Sequence, residues 1–469
     1  MMKRWVRQQC ASENLSIRDV MRIISNAQVG VALVVDGEDR LLGYLTDSDI
    51  RRAILNEVPL DAPVSRIMVK KPVTLPEGLT PEEALTQLQK NKVNRAPVLN
   101  REGKVVDIAL KWRLQEKVSR EHETLDFALE SAGKTASETQ KVSVIGAGGY
   151  VGSVLCRELL DQGYRVRGVD RFLFGDDSLN EIVTHPNFEL IRGDIRNLDV
   201  LVDAAFGVDA VINLAAIVGD PACDLDVNHT IMINYFSAKA AADAARHCKV
   251  DRYLFASTAA VYGASSGKER LSETSPIAPV SLYAETKLKS EAGILSLKDA
   301  EFSPCIFRLG TVYGLSPRMR FDLVVNLFAL HAFTKKKLTV FGGTQWRPYV
   351  HVRDIARAMI LAVQADKQAI HGQIFNLGSN DLNLRVIDLA NKVASIFPGT
   401  EVAHQPGEAD QRDYNVSFDK IRERLGFTAE WDIERAVTEI KERFDRGQFQ
   451  DFMDKKYSNV KQQEHLIFG

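Results

Sequence analysis

The chain has 469 residues, of which 45% are hydrophobic and 26% charged, and its formal net charge is −2. That length sets a prior of two or three domains, and the composition is ordinary for a globular chain able to bury a large core. The near-neutral balance, without long basic or acidic blocks, argues against a nucleic-acid surface or an anionic-membrane anchor.

Five cysteines, Cys10, Cys156, Cys223, Cys248 and Cys305, are scattered along the chain. An odd, sparse set with no close pairs offers neither a metal knuckle nor a redox pair, so no metal is expected and a reducing compartment is. The opening MMKRWVRQQC is basic but no apolar stretch follows it. No run approaches the roughly 20 apolar residues of a membrane helix. A cytoplasmic location is therefore expected.

The first third contains an internal repeat. RDVMRIISNAQVGVALVVDGEDRLLG (18–43) is echoed by EEALTQLQKNKVNRAPVLNREGKVVD (82–107), with Val29, Ala32 and Val34 aligned on Val93, Ala96 and Val98. Each copy has a helical period, carried by Val20, Ile23 and Ile24 and by Ala84, Leu85 and Leu88, followed by two short apolar strands around a turn. Pro59, Pro63, Pro72 and Pro76 punctuate the segment between the copies. Two such units imply pseudo-symmetric pairing over a shared buried face. Residues 1–118 resemble a tandem cystathionine-β-synthase (CBS) pair, especially pairs fused to bacterial sugar-nucleotidyltransferases. The resemblance implies an α+β module that binds an adenine nucleotide. Gly43-Tyr44-Leu45-Thr46-Asp47-Ser48-Asp49 matches the family's ribose-binding pattern, with Thr46 and Asp49 as candidate nucleotide ligands. Thr46 can equally be a plain helix cap. The second copy has Leu110 and Arg113 at the matching positions, which speaks against a second site.

Residues 119–140 read as a polar linker, with a short helix expected around 124–131. From Lys141 apolar strands alternate with amphipathic helices, the pattern of a doubly wound parallel sheet. KVSVIGAGG is strand and turn, YVGSVLCRELLDQG a helix closed by Gly163, and YRVRGVD the second strand. FELIRGD, DAVINLAA, RYLFAST and SPCIFRLG continue the series. After about Gly314 the pattern becomes mixed, as a smaller substrate lobe would be.

Gly146-Ala147-Gly148-Gly149-Tyr150-Val151-Gly152 lies between a strand and a helix. Glycines at 146, 149 and 152 allow a tight turn and a close approach of pyrophosphate to the helix N-terminus. Asp170 ends the next strand, where a carboxylate accepts ribose hydroxyls and repels a 2′-phosphate, so NAD is expected over NADP. Arg171, the next residue, works against that preference. Asp194 ends the third strand, on the adenine side, and Ala215 follows the fourth, beside the cofactor path.

Tyr283 and Lys287 stand at i and i+4 and share one helical face. A phenol with an unperturbed pKa of about 10 is a poor base near neutrality, and a neighbouring ammonium favours its phenolate. Thr258, at the end of RYLFAST, can orient a substrate oxygen beside them.

Residues 141 to about 440 resemble the extended short-chain dehydrogenase/reductase family of nucleotide-sugar epimerases and dehydratases. The resemblance implies a Rossmann-type domain over 141–469, with a substrate lobe drawn mainly from residues after 314. It implies a catalytic triad of Thr258, Tyr283 and Lys287, and a cofactor site that includes Tyr150, Val151 and Asn234. FRLGTVYG (307–314), RPYVHVRDIARA (347–358) and FNLGS (375–379) are further matches. Arg347 falls on the family's diphosphate-binding arginine, and Arg412, Arg318 and Asn326 complete the candidate substrate set. Dehydratases of the family place acid/base side chains directly after the triad threonine, whereas this chain has Ala259 and Ala260. Dehydration would need another carboxylate, such as Glu273. The expected reaction is therefore hydride transfer at carbon 4 of a nucleotide-diphosphate sugar, as a 4-epimerase or a 4-dehydrogenase/reductase. A 4,6-dehydratase and a non-catalytic NAD or nucleotide sensor are the alternatives. Leu315–Asp322, the loop 218–223 and Lys456–Asn459 resemble a subgroup that includes GDP-heptose 4-dehydrogenases. Cys223 is either near the substrate or an inert buried thiol. A homo-oligomer is expected, without nucleic acid or membrane partners.

Overall fold

The structure, a computed structural model, describes residues 2–26, 31–46, 49, 50, 52, 53, 56, 58–91, 93–111, 114, 140–264, 270–405, 412–449, 451, 452 and 454–468. The chain divides into two compact units, Met1–Ala136 and Ser137–Gly469. The helix expected around 124–131 and the positions of Val29 and Arg113 lie outside the described residues. No helix among the described residues is long and apolar enough to cross a membrane.

In the first unit the repeat is realised twice. One copy has a helix at Ile17–Asn26 and an antiparallel pair, Val31–Val35 with Leu41–Thr46, extended by Cys10–Ala11 alongside. The other has a helix at Pro81–Lys90 and the pair Arg95–Leu99 with Val105–Leu110, extended by Leu75–Pro76. Both pairs slip register at the aligned step, Val34/Val35 and Val98/Leu99. The hairpins meet turn to strand: Leu41 N donates to Gly103 O at 3.3 Å and Val105 N to Asp39 O at 2.9 Å. Val31 and Leu33 of one copy pack with Val105, Ile108 and Leu110 of the other. Each such side chain removed from water is worth about 1.5–3 kcal/mol, so this shared face holds the pair together.

The second unit is built on a seven-stranded, all-parallel sheet: β1 Lys141–Ile145, β2 Arg165–Asp170, β3 Phe188–Arg192, β4 Ala210–Asn213, β5 Arg252–Thr258, β6 Ser303–Leu309 and β7 Ile374–Leu377. The spatial order is β3-β2-β1-β4-β5-β6-β7. Helices lie on both faces: α1 Gly152–Asp161, α2 Leu198–Ala205, α3 Ala238–His247 and α4 Leu282–Leu295. This is the Rossmann arrangement, and it explains why the strands read as continuous apolar runs rather than alternating ones. The order reverses between β1 and β4, which opens a crevice beyond their C-terminal ends. Gly163, at φ +85°, closes α1 in the left-handed conformation a helix end favours.

The chain after Gly314 does more than form a lobe. Thr311–Tyr313, Trp346–His351 and Asn383–Arg385 make a small mixed sheet, and Lys337–Phe341 pairs with Glu401–Gln405. Between these pieces Ile374–Leu377 returns to the main sheet and pairs with β6 in parallel register. A further helix, α5, spans Asn459–Phe468.

Candidate active site

The glycine turn sits between β1 and α1, at the crevice. Gly146 has φ +92°, and a Cβ there would lie 2.9 Å from Ala215 N. A Cβ on Gly152 would fall 2.0 Å from Gly146 O, so only glycine lets α1 start this close to the strand. The turn thereby presents backbone N–H groups at a helix start, the architecture that receives a pyrophosphate. Val151 lines the larger of two adjoining cavities. Tyr150 lines it too, but its hydroxyl donates to Gly314 O and accepts from Asn326 Nδ2 at 3.0 Å. Tyr150 thus stitches the glycine turn to the lobe.

Asp170 ends β2 over the smaller cavity, of about 310 Å³. Its two oxygens accept the N–H groups of Gly148 at 2.9 Å and Phe172 at 2.7 Å. Burial pushes its carboxyl up, and these N–H groups pull it back. Each oxygen keeps a lone pair for a ribose hydroxyl. Arg171, which could have welcomed a 2′-phosphate, is ion-paired with Asp194 at 3.2 Å. Asp194 also holds Arg196 at 2.7 Å, and it is its neighbours Gly193 and Ile195 that line the cavity. Ala215 lines it as well. Asn234, fully buried, grips the backbone of Ile217 at both ends of its amide, accepting from Ile217 N at 2.8 Å and donating to Ile217 O at 2.9 Å. It shapes the loop after β4. Turn, carboxylate and cavity together fit NAD.

The larger cavity, of about 900 Å³, shares Gly146, Gly149, Phe174, Leu214 and Ala216 with the smaller one. Thr258, Tyr283 and Lys287 all line it. Thr258 ends β5, where its Oγ1 accepts Ala260 N at 3.1 Å and its side chain hydrogen-bonds Tyr283. Ser281 caps α4 by accepting Ala284 N at 3.3 Å, which fixes the turn carrying Tyr283. Burial raises the Tyr283 phenol well above its ordinary value, and nearby Asp220 adds to this. Burial also pushes the Lys287 ammonium down to about 7, against the pull of Glu291. Lys287 Nζ lies 4.1 Å from the centre of the Phe255 ring. A half-buried phenol and a buried amine, one helical turn apart, can exchange a proton without creating net charge.

Arg347, Arg412 and Arg318 also line the larger cavity. Arg347 is buried, donates to Trp346 O at 2.7 Å and lies 5.3 Å from the centre of the Tyr414 ring. Arg412 pairs with Asp220 at 3.1 Å. Arg318 is buried, stacks on Phe174 at 3.9 Å and donates to Asn459 Oδ1 at 2.7 Å, while its Nε has no partner among the described residues. Asn326 is not brought to the cavity wall. It donates to Tyr150 Oη and to Arg320 O at 2.9 Å and accepts Gly314 N at 3.1 Å. Glu273 is spent elsewhere, accepting Asn376 N at 2.8 Å. Cys223 is fully buried, its thiol pushed up to about 12 by burial and bonded to Ile217 O.

Among the wall residues, Phe174 was not singled out from the sequence, and Asp220, Arg320, Asp322 and Asn459 stood in segments noted there only as resembling a subgroup, without a role at the site. Arg320 and Asp322 pair at 2.8 Å. A signal existed in PRMRFD, where charges two apart sit in an apolar setting. The bonds of Asn459 had no local signal, since its partners are more than a hundred residues away.

In the first unit, Thr46 and Asp49 close on one another. Thr46 N and Oγ1 donate to Asp49 Oδ2 at 2.9 and 2.7 Å, and Arg52 lies 3.3 Å from Asp49. The pair caps the following helix in this form.

Comparison with known proteins bears on both units. Residues 142–378 match the NAD dependent epimerase/dehydratase family, and residues 7–56 and 64–117 each match the CBS domain. A UDP-glucose 4-epimerase of Corynebacterium glutamicum is 30% identical over 320 residues, covering 64% of this chain and 94% of its own. A dTDP-glucose 4,6-dehydratase of Streptomyces niveus is 25% identical over 304 residues, covering 61% and 88%. Among solved structures, the UDP-glucuronic acid 4-epimerase of Bacillus cereus, in complex with UDP-glucuronic acid and NAD, is 25% identical with a TM-score of 0.60, covering 66% of this chain and 100% of its own. MoeE5 in complex with UDP-glucose and NAD is 27% identical with a TM-score of 0.57, covering 66% and 100%.

Proposed function

This chain belongs to the NAD-dependent epimerase/dehydratase family, as an extended short-chain dehydrogenase/reductase preceded by a CBS pair, and from that membership we propose that it oxidises and reduces carbon 4 of a nucleoside-diphosphate sugar without removing the 6-hydroxyl. The observation that carries the reading is the composition of one cavity wall. Thr258, Tyr283 and Lys287 stand together on it, and the positions after Thr258 are the buried methyl groups of Ala259 and Ala260. Bound NAD supplies the hydride acceptor for carbon 4. The protein's part is to move the hydroxyl proton. Thr258 Oγ1 orients the sugar oxygen, Tyr283 Oη takes its proton, and the Lys287 ammonium stabilises the phenolate. Arg347 and Arg412 meet the diphosphate with planar guanidinium donors. A 4,6-dehydratase would also need an acid for the leaving 6-hydroxyl and a base for carbon 5. Ala259 and Ala260 carry no transferable proton, and Glu273 is committed to Asn376.

The test is product analysis by mass spectrometry and NMR with UDP-, dTDP- and GDP-sugars. The expected product is a 4-epimer or a 4-keto sugar of unchanged oxygen count. A 6-deoxy-4-keto sugar as the main product would sink the reading.

For the CBS pair we propose one adenine-nucleotide site per chain, at Thr46 and Asp49, and a homo-oligomeric assembly. The Thr46–Asp49 bond would open toward a ribose diol, a hydroxyl and a carboxylate being the groups that such a diol bonds. Calorimetry on the NAD-saturated full chain should find about one AMP or ATP bound, and Asp49→Ala should abolish it. Undiminished binding in that variant would move the site elsewhere.

A further inference from the structure

We propose that the C-terminal helix α5 forms a wall of the cofactor site, with the Gln463 amide reading the adenine edge of NAD and Asn459 clasping the helix across the crevice. The inference rests on the reading of the two cavities as cofactor and sugar-nucleotide sites. It assigns a contact to a segment that lies outside the family match at 142–378.

The segment 455–468 is fastened on both sides of the crevice. Asn459, 5% exposed, uses three groups at once: Nδ2 donates to Val218 O at 3.1 Å, the backbone N donates to Asp322 Oδ2 at 2.8 Å, and Oδ1 accepts Arg318 Nη2 at 2.7 Å. Val218 belongs to the loop after β4 and Asp322 to the lobe. Three residues on, Gln462 Nε2 donates to Leu173 O at 3.1 Å, in the loop after β2. Leu173 itself lines the smaller cavity. Helix α5 therefore ties the lobe to two loops that frame the NAD site.

Gln463 lines that smaller cavity and is 7% exposed. Its amide makes no hydrogen bond to another described residue. The amide keeps its donor and acceptor free at the cavity, where a ligand can take them. The chemistry of that partner follows from position. Asp170, at the end of β2, faces the ribose, so the base lies in the remaining space, between Gly193, Ile195, Ile233 and Gln463. Adenine presents an amino donor beside a ring-nitrogen acceptor, and a glutamine amide matches this pair in a bidentate way. Ile195 and Ile233 cover its faces. Asp226, also on the wall, already accepts His229 N at 2.9 Å.

The test uses the full chain and compares NAD with its hypoxanthine analogue, in which a carbonyl replaces the amino group. The parent should prefer NAD. Gln463→Ala should weaken NAD about five- to tenfold, the worth of one or two hydrogen bonds, and should narrow its advantage over the analogue. Asn459→Ala should release NADH at least about fivefold faster in a chase with excess NAD, read by fluorescence. Urea melts establish that each variant is folded. A folded Gln463→Ala chain with unchanged affinity and unchanged preference would overturn the adenine contact, as would equal weakening of NAD and analogue. An unchanged NADH release rate in Asn459→Ala would overturn the clasp. These outcomes leave the carbon-4 chemistry standing. A parent chain that binds no NAD at all would instead remove the reading of the site.

Discussion

Tyr283→Phe is expected to fold and bind NAD as the parent does, and to lose turnover by roughly 10²–10⁴, the reach of one general base. The substitution removes one oxygen from a half-buried ring and leaves the shape of the cavity intact. Lys287 and Thr258 then have nothing between them that can take a proton from the sugar. The pH dependence of the parent carries the same argument. Burial pushes Lys287 down to about 7 and holds the Tyr283 phenol up, so at low pH both groups are protonated and the pair cannot act as a base. Loss of one proton leaves the pair with a single proton to share, and phenolate–ammonium becomes accessible. The oxidative half-reaction, followed as NADH absorbance in a single turnover, should therefore rise with pH through an apparent midpoint near 7. The pair titrates as a unit, so the midpoint belongs to both residues. Lys287→Met should erase the midpoint together with most of the rate. A Tyr283→Phe chain as fast as the parent on the true substrate would defeat the assignment.

What could be read from the sequence was whatever depends on local order. The strands β1 to β6 are apolar runs followed by turn residues, because a parallel sheet covered on both faces leaves no polar stripe. Gly146, Gly149 and Gly152 announce a backbone approach that no side chain permits, and Tyr283 and Lys287 announce a shared helical face. The residues that escaped are those whose role depends on distant partners. β7 has only four residues and joins β6 across a gap of more than sixty, so nothing near it marks it as part of the main sheet. Asn234 and Asn326 have the chemistry of ligand contacts, yet both serve the backbone. Asn234 sits in a π-helical turn, Met232–Ser237, that faces it toward Ile217, and Asn326 is enclosed by Gly314, Arg320 and Tyr150. Sequence names an amide without saying whether a ligand or a loop will use it.

The second large effect lies behind the active site rather than in it. Glu291 continues the face of α4 that carries Tyr283 and Lys287, one turn further on. It pairs with Arg308 of β6 at 2.7 Å, with both side chains 3% exposed or less. Arg308 Nε adds bonds at 3.1 and 3.2 Å to the two carboxylate oxygens, its Nη1 donates to Tyr262 Oη at 3.1 Å, and Ser257 Oγ donates to Glu291. Ser257 immediately precedes Thr258, so this one buried cluster holds both the strand end and the helix that bear the triad. Desolvating two charges costs nearly as much as their attraction returns, so the pair as a whole adds little net stability. Removing one partner is different, because the other is left charged, buried and unpaired. Arg308→Met is therefore expected to destabilise the fold by about 3–5 kcal/mol, read as a lower urea midpoint. The double variant Glu291→Leu, Arg308→Met should recover much of that loss, since no lone charge remains. It should not recover activity, because Lys287 loses the carboxylate that favours its ammonium and Thr258 loses the support behind Ser257. A single Arg308→Met variant as stable as the parent would show that the cluster does not carry this burden. A double variant that regained full turnover would show that the triad is held in place by other means.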